Sequence, residues 1–129
     1  MRLIYGIGND VIEVKRVKNT IEKNPRFLAK YFTESEREYF NKRKMSPQTI
    51  AGYFSAKEAV SKAMGTGFRV FNMSDIEIAK DAWGKPEVVL IGKAFEYAKD
   101  NDIGSILISI SHSEKYATAM AVAVLKEEF

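Results

Sequence analysis

Glu58 and Lys62 stand four residues apart in Lys57-Glu58-Ala59-Val60-Ser61-Lys62, so a helix would place both on one face. A carboxylate beside an ammonium suits chemistry on phosphates. The carboxylate can hold a metal ion while the ammonium meets a phosphate oxygen. Asp10, which follows Gly6-Ile7-Gly8-Asn9, could supply a second carboxylate. A hard cation such as Mg²⁺ takes few protein carboxylates and completes its shell with water and phosphate oxygens. Lys57, Ser61 and Met64 fall at i, i+4 and i+7 of the same segment, which adds Lys57 and Ser61 to the candidate phosphate ligands. The following Gly65-Thr66-Gly67 could let backbone amides approach an anion, because glycine permits unusual dihedrals and carries no obstructing side chain. Each feature also has an ordinary reading. Asp10 could be a turn residue, Glu58 and Lys62 a solvated helix pair, and Gly65 a helix C-cap.

His112 is the only histidine and follows Ile110-Ser111. Alone it is a poor basis for metal coordination. As a general base it needs a partner, whereas it could donate a hydrogen bond to phosphate. The chain has no cysteine, which excludes a thiol nucleophile and a thiolate metal site. A GxSxG elbow, a GxxxxGK[ST] loop and a complete dinucleotide fingerprint are all missing. The net charge of +3 is mild, less than a nucleic-acid binder usually carries. The bases are unevenly placed, however. Lys15, Arg16, Lys18, Lys23, Arg26 and Lys30 face a single acid, Glu22, within residues 15–30. Such a segment could dock an acidic partner.

The elements that must position these groups follow from local pattern. The 129 residues fit one domain, 1–129, without repeats or linkers. No apolar stretch approaches the roughly 20 residues that span a bilayer, and a cytoplasmic address without membrane contact is expected. Residues 2–12 suit a strand. Residues 14–24 place Val14, Val17 and Ile21 at helical spacing before Pro25. Thr33 and Glu36 form a capping-box pattern opening a helix to about residue 43. Ser46-Pro47 opens another, running to about Met64 and stopping at Gly65. Segments 75–80 and 87–91 flank Trp83-Gly84-Lys85-Pro86 as a hairpin. Residues 93–101 suit a short helix, and 105–111 and 118–125 two further strands. The expectation is an α+β fold, with helices in the first half and mostly antiparallel strands in the second.

In order, these segments resemble one family. Gly6-Ile7-Gly8-Asn9-Asp10-Val11-Ile12-Glu13-Val14 with Arg16 is similar to the opening of the holo-(acyl-carrier-protein) synthases, within the 4'-phosphopantetheinyl transferases. Phe54 to Gly67 resembles their second signature. Trp83-Gly84-Lys85-Pro86 resembles a Gly-Lys-Pro turn, and Ile108 to Ser113 with Tyr116-Ala117 the closing motif.

The resemblance implies helices packed on a mostly antiparallel sheet, with active sites at the subunit interfaces of a homotrimer. The implied reaction moves the phosphopantetheine arm of coenzyme A onto a serine of apo-acyl carrier protein, in support of fatty-acid synthesis. Asp10 and Glu58 match the residues holding Mg²⁺, which Mn²⁺ could replace. Lys62 matches a lysine near the phosphates, Gly65 and Thr66 a loop beside the nucleotide, and His112 a residue at the adenosine-diphosphate end. Arg16 matches a carrier contact, with Lys23 and Arg26 on the same basic segment. Glu58 is the first choice for the base, directly or through a water, and Asp10 the second. Tyr53 departs from the family pattern, standing where many relatives have an arginine that holds nucleotide phosphate. Its phenol could stack or hydrogen-bond but brings no charge. Asn9 is a second departure.

Two other readings compete. A noncatalytic nucleotide- or nucleic-acid-binding module would use the basic segment with Tyr31, Phe32 and Tyr39, although Phe27, Tyr31 and Phe40 have the spacing of core residues. A metal-dependent phosphohydrolase would release the arm to water. The transferase reading involves no nucleic acid.

Overall fold

Ser46 and Pro47 start the central helix as their types suggest. The Ser46 hydroxyl oxygen accepts from the Thr49 amide at 3.4 Å, and Pro47 occupies the first turn, where no amide is needed. In the computed structural model, which describes residues 2–127, this helix is the fourth of five. The order is β1 (Ile4–Glu13), α1 (Val14–Lys23), α2 (Phe27–Tyr31), α3 (Glu34–Lys42), α4 (Pro47–Ala63) and a 3₁₀ turn (Met73–Asp75). Then come β2 (Ile76–Lys80), β3 (Pro86–Leu90), α5 (Gly92–Asp100), β4 (Ile103–His112) and β5 (Tyr116–Leu125).

The expected α+β fold is present. The capping box closes α3, with Thr33 Oγ1 accepting from the Glu36 amide and the Glu36 carboxylate from the Thr33 amide. The β2–β3 hairpin turns on Asp81, whose Oδ1 accepts from the amides of Trp83 and Lys85. Two elements were not anticipated. Helix α2 has five residues, too short to show a period, and is held by burial of Phe27 rather than by propensity. The 3₁₀ turn is likewise local, a reciprocal Asn72–Asp75 cap.

Strands β1, β5 and β4 form one antiparallel sheet in that order, while β2 and β3 pair separately. The first strand thus joins the last two. One face of the larger sheet meets α4. Its rows include Gly8–Ala121–Ile108 and Asp10–Ala119–Ile110. The central strand presents only alanines there, Ala117, Ala119, Ala121 and Ala123, all buried. Gly6 and Gly8 have no room for a Cβ, because it would overlap the carbonyls of Ala63 and Ala59. Small residues on both sides bring helix and sheet into close backbone contact. Around that seam lies one core cluster that includes Phe32, Phe40, Ile50 and Val60. Each such fully buried side chain stabilises the fold by about 1.5–3 kcal/mol.

The opposite face of the sheet carries Ile7, Val11, Met120 and Leu107, each more than half exposed. Their register puts Ile7 and Leu107 on either side of Val122, while Met120 lies between Asn9 and Ser109 and Val11 beside Thr118, so apolar groups alternate with small polar ones across this face.

Candidate active site

Helix α4 is buried on nearly every side. Between Ala51 and Ala63 only Phe54, Glu58 and Lys62 escape full burial. Their spacing of four residues makes one narrow stripe along the helix. Strand β1 runs beside that stripe with Asp10 on its helix-facing row. The Ser55 hydroxyl donates to the Asp10 carbonyl at 3.1 Å and ties strand to helix. Lys62 reaches back to the same place. Its Nζ donates to the Asn9 carbonyl at 2.9 Å and lies 3.4 Å from Asp10 Oδ1. The structure therefore brings together three of the expected groups: Asp10, Glu58 and Lys62.

Burial pushes the Glu58 carboxyl up from the ordinary carboxylate range; the Asp10 charge adds to this and Lys62 opposes it. Two carboxylates that resist being charged together form a place for a proton or a cation. Glu58 stands between two open clefts. One, of about 480 Å³, also involves Asp10, Arg16, Val17 and Thr20. The other, of about 560 Å³, involves Lys30, Tyr31, Phe68, Asn72 and Met73. Phe27, Phe54 and Glu58 line both. Clefts of this size match small-molecule sites in general.

No group of three or more His, Cys, Asp or Glu side chains poised for a metal occurs among the described residues. A closed, zinc-like cage is thus missing there. Two carboxylates beside open space instead fit Mg²⁺, which keeps water and recruits phosphate oxygens.

Several expectations need correction. Lys57, expected to meet the coenzyme, is wholly buried; its Nζ is 2.6 Å from Glu36 Oε1 and donates to the carbonyls of Tyr31 and Met73 at 3.0 and 3.3 Å. All three ammonium hydrogens are used, and none remains for a phosphate. Ser61 is also buried, and its hydroxyl donates to the Glu58 carbonyl at 2.7 Å. Both residues lie one position before the exposed stripe members, a rotation of about 100° around the helix.

The glycine loop does not offer its amides to an anion. Gly65 N–H bonds the Lys62 carbonyl, while those of Thr66 and Gly67 bond the Ser61 carbonyl. Gly65 has φ +82°, so the helix ends as a glycine cap. The Thr66 side chain is buried, with its hydroxyl donating to the Gly67 carbonyl at 2.8 Å. Tyr53 is turned into the core. It is 4% exposed and stacks on Tyr39 with ring centroids 5.5 Å apart. Burial raises its phenol well above the usual tyrosine range.

His112 is exposed at the end of β4, and β5 separates its strand from β1 and Asp10. Within one chain it stays at the other edge of the sheet. Arg16 lines the Asp10–Glu58 cleft, whereas Lys23 and Arg26 are exposed on the neighbouring surface. Sequence reasoning missed Glu36 as the partner of Lys57. The capping box marked Glu36 as ordered, but nothing local showed that its second role is to neutralise a lysine 21 residues away.

Known proteins resemble this chain along most of its length. The profile of the 4'-phosphopantetheinyl transferase superfamily matches residues 6–121. A holo-[acyl-carrier-protein] synthase of Caldanaerobacter subterraneus subsp. tengcongensis is 51% identical, with 92% of this chain and 93% of the relative covered. A Plasmodium yoelii acyl carrier protein synthase solved with ADP bound superposes with TM-score 0.86 at 38% identity, covering 96% and 97% of the two chains. The Helicobacter pylori holo-[acyl-carrier-protein] synthase in complex with coenzyme A gives TM-score 0.81 at 30% identity, covering 91% and 98%. With Glu58 and Lys62 on one stripe of α4, Asp10 beside them on β1, and likeness along nearly its whole length, the chain belongs to the holo-[acyl-carrier-protein] synthases of the 4'-phosphopantetheinyl transferase superfamily.

Proposed function

We propose that this enzyme transfers 4'-phosphopantetheine from coenzyme A to a serine of apo-acyl carrier protein, with Mg²⁺ held by Asp10 and Glu58 and with fatty-acid synthesis as its context. The observation that carries the reading is the convergence of Asp10, Glu58 and Lys62 beside open clefts.

The serine oxygen attacks the β-phosphorus of coenzyme A. A new P–O bond forms, the bond to the bridging oxygen breaks, and adenosine 3',5'-bisphosphate leaves with the electron pair. The obstacle is negative charge on both sides of that phosphorus. When bound, Mg²⁺, or Mn²⁺ in its place, supplies compensation for the pyrophosphate charge. Lys62 stabilises charge growing on the leaving phosphate, because its ammonium is half exposed and held only by Asp10 and the Asn9 carbonyl. Glu58, directly or through a water, is the first candidate to accept the serine proton, since burial and then the Asp10 charge raise its proton affinity above that of a free carboxylate. Asp10 is the second candidate for that proton.

Arg16, at the rim of the cleft, meets the acidic carrier, with Lys23 and Arg26 extending the basic surface. His112 serves a neighbouring subunit. The exposed apolar sheet face, with Ile7, Val11, Met120 and Leu107, supports a homotrimer in which coenzyme A lies between two chains.

Mass spectrometry of an apo carrier protein after incubation with coenzyme A and Mg²⁺ tests the function. A gain of one phosphopantetheine is expected. An unchanged carrier despite tight nucleotide binding would favour a binding module, and free arm released without carrier would favour a hydrolase.

A further inference from the structure

The one fully buried ion pair among the described residues, Lys57 with Glu36, takes no part in the chemistry above. It sits immediately behind the site. Lys57 precedes Glu58 on α4 and points the other way, into the protein. Its three hydrogens go to Glu36 Oε1, to the Tyr31 carbonyl at the end of α2, and to the Met73 carbonyl in the 3₁₀ turn. The Phe32 ring lies 4.8 Å from the ammonium. Glu36 is equally saturated. Oε1 accepts from the Thr33 amide and Oε2 from the Ile78 amide in the middle of β2. No buried side-chain polar atom among the described residues lacks a partner.

The carbonyls that Lys57 holds belong to the walls of the larger cleft. Tyr31 and Met73 line it with Glu58, together with Phe27, Phe54 and Phe68. Neither wall is bound to the other by a regular element. Helix α2 has five residues and the 3₁₀ turn three, too few to hold position unaided. A buried ion pair is a poor means of adding stability, because desolvation consumes most of the attraction, but it does demand one arrangement of its partners. An apolar side chain at position 57 could fill the volume and leave the two carbonyls free to shift.

We propose that Lys57, paired with Glu36, is a positioning residue that fixes the α2 and 3₁₀-turn walls of the cleft relative to Glu58, and so sets how the phosphopantetheine donor is seated. This rests on the transferase reading for its kinetic consequence, whereas the structural consequence stands apart from it. Lys57 makes no contact with substrate in this arrangement.

The test replaces the pair by apolar residues, Lys57→Met with Glu36→Leu, so that no lone charge is left buried. The double variant should melt well below the parent, because it leaves the Tyr31 and Met73 carbonyls and the Thr33 and Ile78 amides without these side-chain partners, so exchange and kinetics are read at a temperature where both proteins are folded. Hydrogen exchange followed by mass spectrometry should show faster exchange in residues 27–32 and 72–78, with α4 unchanged. With coenzyme A and apo carrier protein, the Michaelis constant for coenzyme A should rise about tenfold while kcat falls less than about threefold, because the reacting groups stay in place. A double variant with parental exchange and parental Michaelis constant would overturn the proposal. So would a collapse of kcat at unchanged Michaelis constant, which would indicate a chemical role. If the double variant does not fold, the isosteric Glu36→Gln decides the matter. It keeps an oxygen toward Lys57 and should move exchange and Michaelis constant the same way to a smaller degree; parental values for both would overturn the proposal. Absence of transfer by the parent protein would count against the transferase reading alone, since the exchange measurement does not depend on it.

Discussion

A side chain on Gly8 would collide with the carbonyl oxygen of Ala59. Strand β1 and helix α4 therefore touch backbone to backbone just where Asp10 and Glu58 must meet. Gly8→Ala should cost about 3 kcal/mol, the upper part of the range for overpacking a tight seam. Urea unfolding measures the loss. Whatever protein remains folded should transfer poorly, because pushing β1 outward separates the two carboxylates.

Glu58 carries a cost of its own. Its carboxyl titrates above the 4.5 of the free side chain, first because of burial and then because of Asp10. Between those two values the folded protein binds more protons than the unfolded chain. The contribution of Glu58 to stability therefore falls as pH rises through that window and stays lowered above it. Without metal, Glu58→Gln should then melt about 2 °C higher than the parent at about pH 8 and show no gain at about pH 4. Its metal-dependent transfer should be lost. Calorimetry in chelator at both pH values checks the first statement and carrier mass the second. Equal gains at both pH values would separate the stabilisation from this ionisation.

Lys62→Met removes an ammonium that is half exposed, so its effect on melting should be small. The effect on kcat should be about a hundredfold, the loss typical of one group aimed at developing charge. Steady-state kinetics with saturating coenzyme A and carrier will show it.

Arg16→Glu reverses the charge at the rim of the cleft that holds Asp10 and Glu58. The Michaelis constant for carrier protein should rise about tenfold, and that for coenzyme A much less. Added salt should shrink the difference, since exposed charges are screened over about 10 Å at 0.1 M. Equal effects on both substrates would place the carrier elsewhere.

Val11→Lys sets a charge in the middle of the exposed apolar sheet face, where Val11 is 66% exposed. If the proposed homotrimer forms through this face, sedimentation should show the parent as trimer and the variant as monomer, with little change in the fold of each chain; a parent that sediments as a monomer would overturn the proposed assembly. Transfer should fall too, because the role proposed for His112 at a neighbouring subunit's site needs that assembly.

Much of this protein was legible residue by residue. Thr33 and Glu36 announced a helix start, Ser46-Pro47 another, and Trp83 to Pro86 a hairpin turn, because caps and turns are satisfied within a few residues. Asp10, Glu58 and Lys62 were identifiable as a set through their order and family likeness. Which side of α4 faces solvent was not legible. Apart from its ends, the helix is buried except along Phe54, Glu58 and Lys62, and its sequence therefore lacks the broad polar face that ordinarily marks the outside. Lys57 and Ser61 looked as available as their neighbours. Only the arrival of Glu36, Tyr31 and Met73 from distant parts of the chain turned Lys57 inward. The glycine loop was ambiguous for a related reason: Gly65 and Gly67 permit either an anion cradle or a helix cap, and the Ser61 and Lys62 carbonyls settled it by taking the amides first. Local chemistry determined which groups this protein has to work with. Tertiary packing decided which of them reach solvent, because a buried charge must be paired and its partners lie far away in sequence.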